Sequence, residues 1–186
     1  MIKYKTESNL IVWKLDLPVY VLEGTIIDIE TDGNNEIIVF GYISENSLVS
    51  VLRTIQTDYN LFLRQIYKKL KILRKPFYGY NTDFEKKFLG YNDIWIDLMS
   101  IHKRLSKINN VKLPKLKEVS PAAYLNYYNL SNLDISNKEV PNYWKNYILS
   151  KDESILEAII RHNVIDLLSE LNLLLANKFL SWELKL

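Results

Sequence analysis

Apolar residues come first in short dense runs and later at helical spacing. The runs "LIVWKL" (10–15), "GTIIDIE" (24–30), "EIIVFGYIS" (36–44) and "SLVSVLRTI" (47–55) are rich in β-branched and aromatic residues. With "IKYK" (2–5) before them, they read as strands bounded by Gly, Asn and Ser. "TDGNN" joins the second and third of these runs and suits a tight hairpin. From Asp58 the period lengthens. Leu61, Ile66, Leu70 and Leu73 fall at roughly helical spacing and predict a helix over "DYNLFLRQIYKKLKIL". A short strand "KPFYGYN", a short helix "TDFEKKFLG" closed by Gly90, and a strand running into a helix over "DIWIDLMSIHKRL" follow. Pro114 and Pro121 break the next stretch into short helical pieces. "VPNYWKNYIL" predicts a helix, and Ser150 with Glu153 a capping box for the last one, "ESILEAIIRHNVIDLLSELNLLLANKFL". The order is antiparallel strands, then strands alternating with helices, then helices. That is an α/β layout with a mixed sheet flanked by helices, expected to form a single domain over residues 1–186.

Charge and composition change this picture little. Lys+Arg is 24 against Asp+Glu 22, so the net charge of +2 neither requires nor excludes a nucleic-acid partner. The absence of cysteine excludes disulfides and thiolate metal sites. No apolar run approaches the roughly 18 residues of a membrane span, and the N-terminal residues lack the apolar core of a secretory signal. The expectation is a cytoplasmic protein with no membrane partner. Tyrosines and the "FLSWELKL" tail leave an oligomer open.

The acidic residues carry the chemistry. Asp28 and Glu30 stand two apart on a predicted strand, so both point to one face. Like charges on a half-buried strand raise each other's pKa, and a cation between them relieves the conflict. Oxygen-only ligands suit Mg²⁺ or Mn²⁺. The competing reading is a solvent-facing pair beside the turn. In "FYGYNTDFEKKFL" (77–89) a strand again runs into a helix with Asp83 and Glu85 at the junction, where acidic residues also complement the helix dipole. In "IIRHNVIDLLSEL" (159–171) His162 and Asp166 share a helix face. They flank a core stripe of Leu156, Ile160, Leu167, Leu171 and Leu174, and alone they read as a surface ion pair. His102 has no motif around it and reads as a surface residue.

Taken in order, "DIE", "NTDFEKKFL" and "HNVID" resemble the three motifs of the DEDD (DnaQ-like) 3′–5′ exonuclease superfamily, which has a ribonuclease H-like fold. The resemblance spans roughly residues 20 to 175 and is closest to the YprB-like ribonuclease H-like group, to whose tail "YWKNYILSKDESILEAIIRHNVIDLLSEL" is similar. It implies that Asp28, Glu30 and Asp166 bind two Mg²⁺ or Mn²⁺ ions. The middle motif departs from the pattern. Aligning Asn81 and Phe84 puts Glu85 where the superfamily carries Asp. One extra methylene moves the carboxylate by about 1.5 Å, so Glu85 is the expected fourth ligand and Asp83 the fallback. His162 stands four residues before Asp166, a place that a tyrosine takes in one subgroup, and is expected to accept a proton from the attacking water.

The implied activity is metal-dependent 3′–5′ hydrolysis of DNA or RNA from a single-stranded 3′ end. The alternative is a weakened or inactive nucleic-acid-binding or accessory subunit on the same fold, favoured by Glu85. Expected nucleic-acid contacts are Asn81, Phe84, Lys115 and Lys117. The aromatics Phe40, Tyr42, Tyr78 and Tyr80 read as core or as base-stacking platforms. The run Lys68, Lys69, Lys71, Arg74 and Lys75 reads as a solvated helix face or a phosphate contact.

Overall fold

The computed structural model describes residues 1–18, 23–90, 93–110, 116, 130 and 134–183, with no side chain described at 109 or beyond 176. Seven strands form one sheet: β1 (Ile2–Lys5), β2 (Leu10–Asp16), β3 (Thr25–Thr31), β4 (Ile37–Ser44), β5 (Ser47–Arg53), β6 (Phe77–Gly79) and β7 (Trp95–Asp97). The helices are α1 (Tyr59–Ile72), α2 (Asp83–Leu89), α3 (Leu98–Asn109), α4 (Val140–Ser150) and α5 (Ser154–Glu183). The strand order is β1-β2-β5-β4-β3-β6-β7. β1 to β5 pair antiparallel, whereas β6 adds parallel to β3 and β7 parallel to β6. The sheet is mixed because short turns join β1 to β2, β3 to β4 and β4 to β5, whereas α1 precedes β6 and α2 precedes β7, and parallel pairing needs such a crossover. In the β3–β4 turn the Asp32 N–H donates to the Glu36 carbonyl at 3.0 Å, and Gly33 and Asn35 take the positive φ values of 84° and 74°.

Strand alternation assigns the two faces of the sheet. Ile27 and Ile29 of β3 pack with Phe62, Ile66 and Leu70 of α1. Ile26 points the other way, into the core made with Trp144, Tyr147, Leu156, Ile160, Leu167 and Leu171 of α4 and α5. Asp28 and Glu30 share the parity of Ile26, so they project toward α5. The expected stripe of α5 is buried throughout. On α1 the buried row is Phe62, Ile66 and Leu70, spaced four apart, while Leu61 is exposed.

Two local expectations are corrected. Ser150 and Glu153 do not cap α5. The Asp152 carboxylate accepts from the Ser154 N–H at 2.9 Å, Ser150 Oγ accepts from the Asp152 N–H, and Glu153 bonds Lys5 Nζ at 2.6 Å. The short Asp152 side chain, two residues before the helix starts, reaches the Ser154 amide, while Glu153 turns to Lys5. His102 is buried rather than exposed, because it follows Leu98 by one turn and shares the inward face of α3. The helical pieces expected around Pro114 and Pro121 lie outside the described residues.

Candidate active site

Asp28 is placed by a row that crosses three strands. It pairs with Gly41 on β4, which pairs with Ser50 on β5. Gly41 leaves the room that Asn163 of α5 fills: a Cβ there would lie 2.1 Å from Asn163 Oδ1 and 2.7 Å from Leu167 Cδ1. Asn163 accepts from Ser50 Oγ at 2.6 Å and donates through Nδ2 to Asp28 Oδ2 at 2.6 Å. The amide thus fixes one carboxylate oxygen and closes the approach of helix to sheet. Gly41→Ala should lower the melting temperature measurably, since overpacking of this kind costs about 1–3 kcal/mol and each kcal/mol is about 2–4 °C for a chain of this size. A thermal melt monitored by circular dichroism checks it, and an unchanged midpoint would show that the helix can simply move away.

The other acidic groups arrive from three directions. Glu30 lies two residues along β3 and is buried. Glu85 sits in the first turns of α2 and is 2% exposed, whereas Asp83 points to solvent, 3.4 Å from Lys86 Nζ. The structure therefore turns Glu85 inward and Asp83 away. The turn before α2 is pinned from two sides. The Tyr80 N–H donates to Glu170 Oε1 at 2.8 Å, and the Asn81 N–H donates to Asp97 Oδ1 at 3.0 Å. From α5 come His162, Asp166 and Glu170, each one helical turn after the last. His162 and Asp166 are not a surface ion pair. They are 0% and 8% exposed, because α5 packs against β3, β4 and β5 and against both α3 and α4.

A cavity of about 430 Å³ opens over this cluster, lined by Asp28, Glu30, Glu85, Asp166 and Glu170 together with apolar and neutral polar residues. No Lys, Arg or His is among its described lining residues. Asn81 and Phe84 are at its wall, and Phe84 is 38% exposed with its ring edge against Phe88. Tyr80 also lines it, while Phe40, Tyr42 and Tyr78 belong to the core. None of the cations in the run from Lys68 to Lys75 borders the cavity. Lys115 and Lys117 lie outside the described residues.

His162 links the cluster to a residue that the sequence did not flag. Its Nδ1 is 2.7 Å from Asp134 Oδ1, and its Nε2 is 3.7 Å from Glu30 Oε1 and 3.6 Å from Asp166 Oδ2. One ligand atom each from Glu30, His162 and Asp166 lie within 4.8 Å of one another.

These surroundings shift the protonation equilibria strongly. Burial, then the charges of Glu30 and Glu170, push Asp28 well above the usual carboxylate range. Burial lifts Glu30 to about 8 against the pull of His162, and lifts Glu85 to about 8. Burial and the neighbouring Glu85 raise Glu170 well above its ordinary value. Burial alone would lower His162, but the bond to Asp134 and the charges of Asp166 and Glu30 outweigh it and carry it up to about 9. Burial is the leading cause for the carboxylates and the neighbouring negative charges add to it, while His162 responds to the same negative field.

The donor set fits a divalent cation. It is almost wholly carboxylate oxygen, as Mg²⁺ and Mn²⁺ prefer. Glu85 Oε2 and Glu170 Oε2 are also buried with no hydrogen-bond partner, a costly arrangement for a carboxylate without a cation. Asp134, Asn163, Ser50 and Glu170 escaped the sequence reading. Glu170 alone had a legible signal, since it extends the four-residue repeat of His162 and Asp166.

The carboxylates cluster where the interior strand β3 meets α2 and α5, a donor set suited to a metal-dependent nuclease. A profile of the RNase H superfamily matches residues 25–176, and the chain belongs to that superfamily. The match begins at the first residue of β3, so the β1–β2 hairpin lies outside it. Comparison with curated proteins finds no significant match. Membership points to a nuclease that acts on nucleic acid with divalent metal ions. No helix among the described residues is long and apolar enough to cross a membrane.

Proposed function

We propose that the chain is a 3′–5′ exonuclease of the DEDD type, nearest in layout to the YprB-like group, and that it hydrolyses phosphodiester bonds at a single-stranded end of DNA or RNA. The observation that carries this reading is the convergence of Asp28, Glu30, Glu85 and Asp166, from three separate segments, on one cavity. The polarity of attack rests on the resemblance of "DIE", "NTDFEKKFL" and "HNVID" to the superfamily motifs.

These four carboxylates would hold two Mg²⁺ or Mn²⁺ ions. When bound, such ions lower the pKa of a water and offset the charge gathering on the phosphate. The protein supplies the rest. Asn163 and Ser50 hold Asp28 in one orientation, so its free oxygen stays aimed at the cavity. Asp134 accepts the Nδ1 proton of His162, which leaves Nε2 facing Glu30 and Asp166 as the atom that takes a proton from the attacking water. Phe84 offers a partly exposed ring at the cavity wall on which a terminal base can stack, and Asn81 a polar group beside it.

Glu85 was the feature that favoured an inactive accessory subunit. It lines the cavity with an unpartnered oxygen, so the longer side chain does not leave the site open. The test is digestion of 5′-labelled single- and double-stranded DNA and RNA with Mg²⁺ or Mn²⁺. The expected result is a ladder shortened from the 3′ end and abolished by chelation. Binding without cleavage would favour the accessory subunit, and 5′ shortening would overturn the polarity.

A further inference from the structure

We propose that Glu170 is a direct ligand of one of two divalent cations, and that with Glu85 it forms a cation subsite at the Tyr80 end of the cavity. The inference rests on the metal-dependent nuclease reading and extends it to a fifth carboxylate outside the three motifs.

Position along α5 is the first support. His162, Asp166 and Glu170 follow one another at four-residue intervals, and a rise of 1.5 Å per residue puts roughly 6 Å between each pair along the axis. The set Glu30, His162 and Asp166 is compact. Glu170 lies one turn further on and belongs to the other end. There it meets Glu85. Glu170 Oε1 is 2.8 Å from the Tyr80 amide, and the Glu85 Cδ is 3.8 Å from the point where a Cβ on Gly79 would lie.

Their outer oxygens are the second support. Glu85 and Glu170 are 2% and 1% exposed, both line the cavity, and Oε2 of each has no hydrogen-bond partner. The Tyr80 amide satisfies only the inner oxygen of Glu170. No basic residue is among the described residues that line the cavity with the pair, and Lys86, on the helix of Glu85, offsets its charge only in part. Two buried carboxylates with one open oxygen each are the ligands that a hard cation takes. Asp28, whose Oδ2 is engaged by Asn163, and Asp166, midway along the helix row, stand between this subsite and the Glu30–His162 end.

Glu170→Gln tests the assignment, since it keeps an acceptor for the Tyr80 N–H and removes the charge. Binding of Mn²⁺ is counted by electron paramagnetic resonance of the free ion, without substrate. The wild type should bind two ions. E170Q should bind one, with affinity for the other reduced by about a hundredfold or more, beyond the 10–100-fold typical of losing an outer-shell partner. Two ions bound by E170Q with unchanged affinity would overturn the subsite, and so would a single ion in the wild type. No ion in the wild type would overturn the metal-dependent reading itself. Should E170Q fail to fold, wild-type crystals soaked in Mn²⁺ decide the matter. An anomalous peak about 2.1 Å from Glu170 Oε2 is expected, and a Glu170 with no metal within bonding distance refutes the proposal.

Discussion

Asp28→Asn is expected to reduce the single-turnover cleavage rate by about a thousandfold or more while raising the melting temperature of the metal-free protein. The two effects have one cause. Asp28 is surrounded by Glu30, Glu170, Asp166 and Glu85, and these charges together with burial oppose its ionisation. Replacing it by the isosteric amide removes a charge that the apo fold resists. The replacement keeps an oxygen to accept from Asn163 Nδ2, now 2.6 Å from Asp28 Oδ2. It also removes a ligand oxygen from the proposed cation site. Metal-assisted stabilisation of charge in the transition state is worth several kcal/mol, and each 1.36 kcal/mol is a factor of ten. A gain in stability paired with a loss of rate is the signature of a residue held in place for function. Single-turnover digestion and a thermal melt in EDTA measure both. A variant that loses rate and stability together would place Asp28 in the structure rather than the chemistry. A stable variant that keeps its rate would remove it from the site.

The fold was legible because local pattern and global architecture agree. "GTIIDIE", "TDGNN" and "EIIVFGYIS" predict a hairpin, and β3 and β4 form it through the Asp32–Glu36 turn. The helical spacing in "ESILEAIIRHNVIDLL" predicts α5, and its stripe is the centre of the larger core. Strand order was not legible, since which strand lies beside β3 depends on crossovers with no local signal. The cap of α5 was misjudged for a related reason. Ser150, Asp152 and Glu153 all suit a helix start, and only backbone geometry selects Asp152.

The site was legible in part. Asp28, Glu30, Glu85, His162 and Asp166 could be named from spacing and resemblance, and the fold brings them together. The residues that hold them could not. Asp134 is separated from His162 by 28 positions and Ser50 from Asn163 by 113, so only the tertiary structure pairs them. Gly41 gave no sign of its purpose, because the space it leaves is filled by a helix far along the chain. Burial was the other missing quantity. The pattern of α5 suggests one buried stripe, but the helix is covered on several sides, which turns an ordinary surface pair, His162 and Asp166, into a buried one.

The metal-free protein should lose stability as the pH rises from about 5 to 9, and a divalent cation should return most of it at the alkaline end. Glu30 and Glu85 each move from an ordinary 4.5 to about 8 in the fold, and His162 from 6.5 to about 9. In all three the folded chain holds a proton more tightly than the unfolded chain, so folding is weakened wherever the unfolded state has released it. The contribution of the two carboxylates is complete below about 4.5 and disappears as the pH passes 8; that of His162 is complete below 6.5 and disappears through 9. A shift of one unit is about 1.4 kcal/mol, so the buried groups together cost several kcal/mol across the interval. That is a fall of about 10 °C or more at 2–4 °C per kcal/mol. Mg²⁺ or Mn²⁺ competes with those protons for the same oxygens. Its stabilising effect should therefore be negligible near pH 5 and grow steadily to pH 9, reaching about 2.7 kcal/mol where the ion is at 100 times its dissociation constant. Melting curves in EDTA and in Mg²⁺ across this range measure both slopes. A metal-free profile that is flat or rises toward pH 9 would mean that the carboxylates find positive charge elsewhere, and a cation effect independent of pH would mean that the ion binds somewhere other than this cluster.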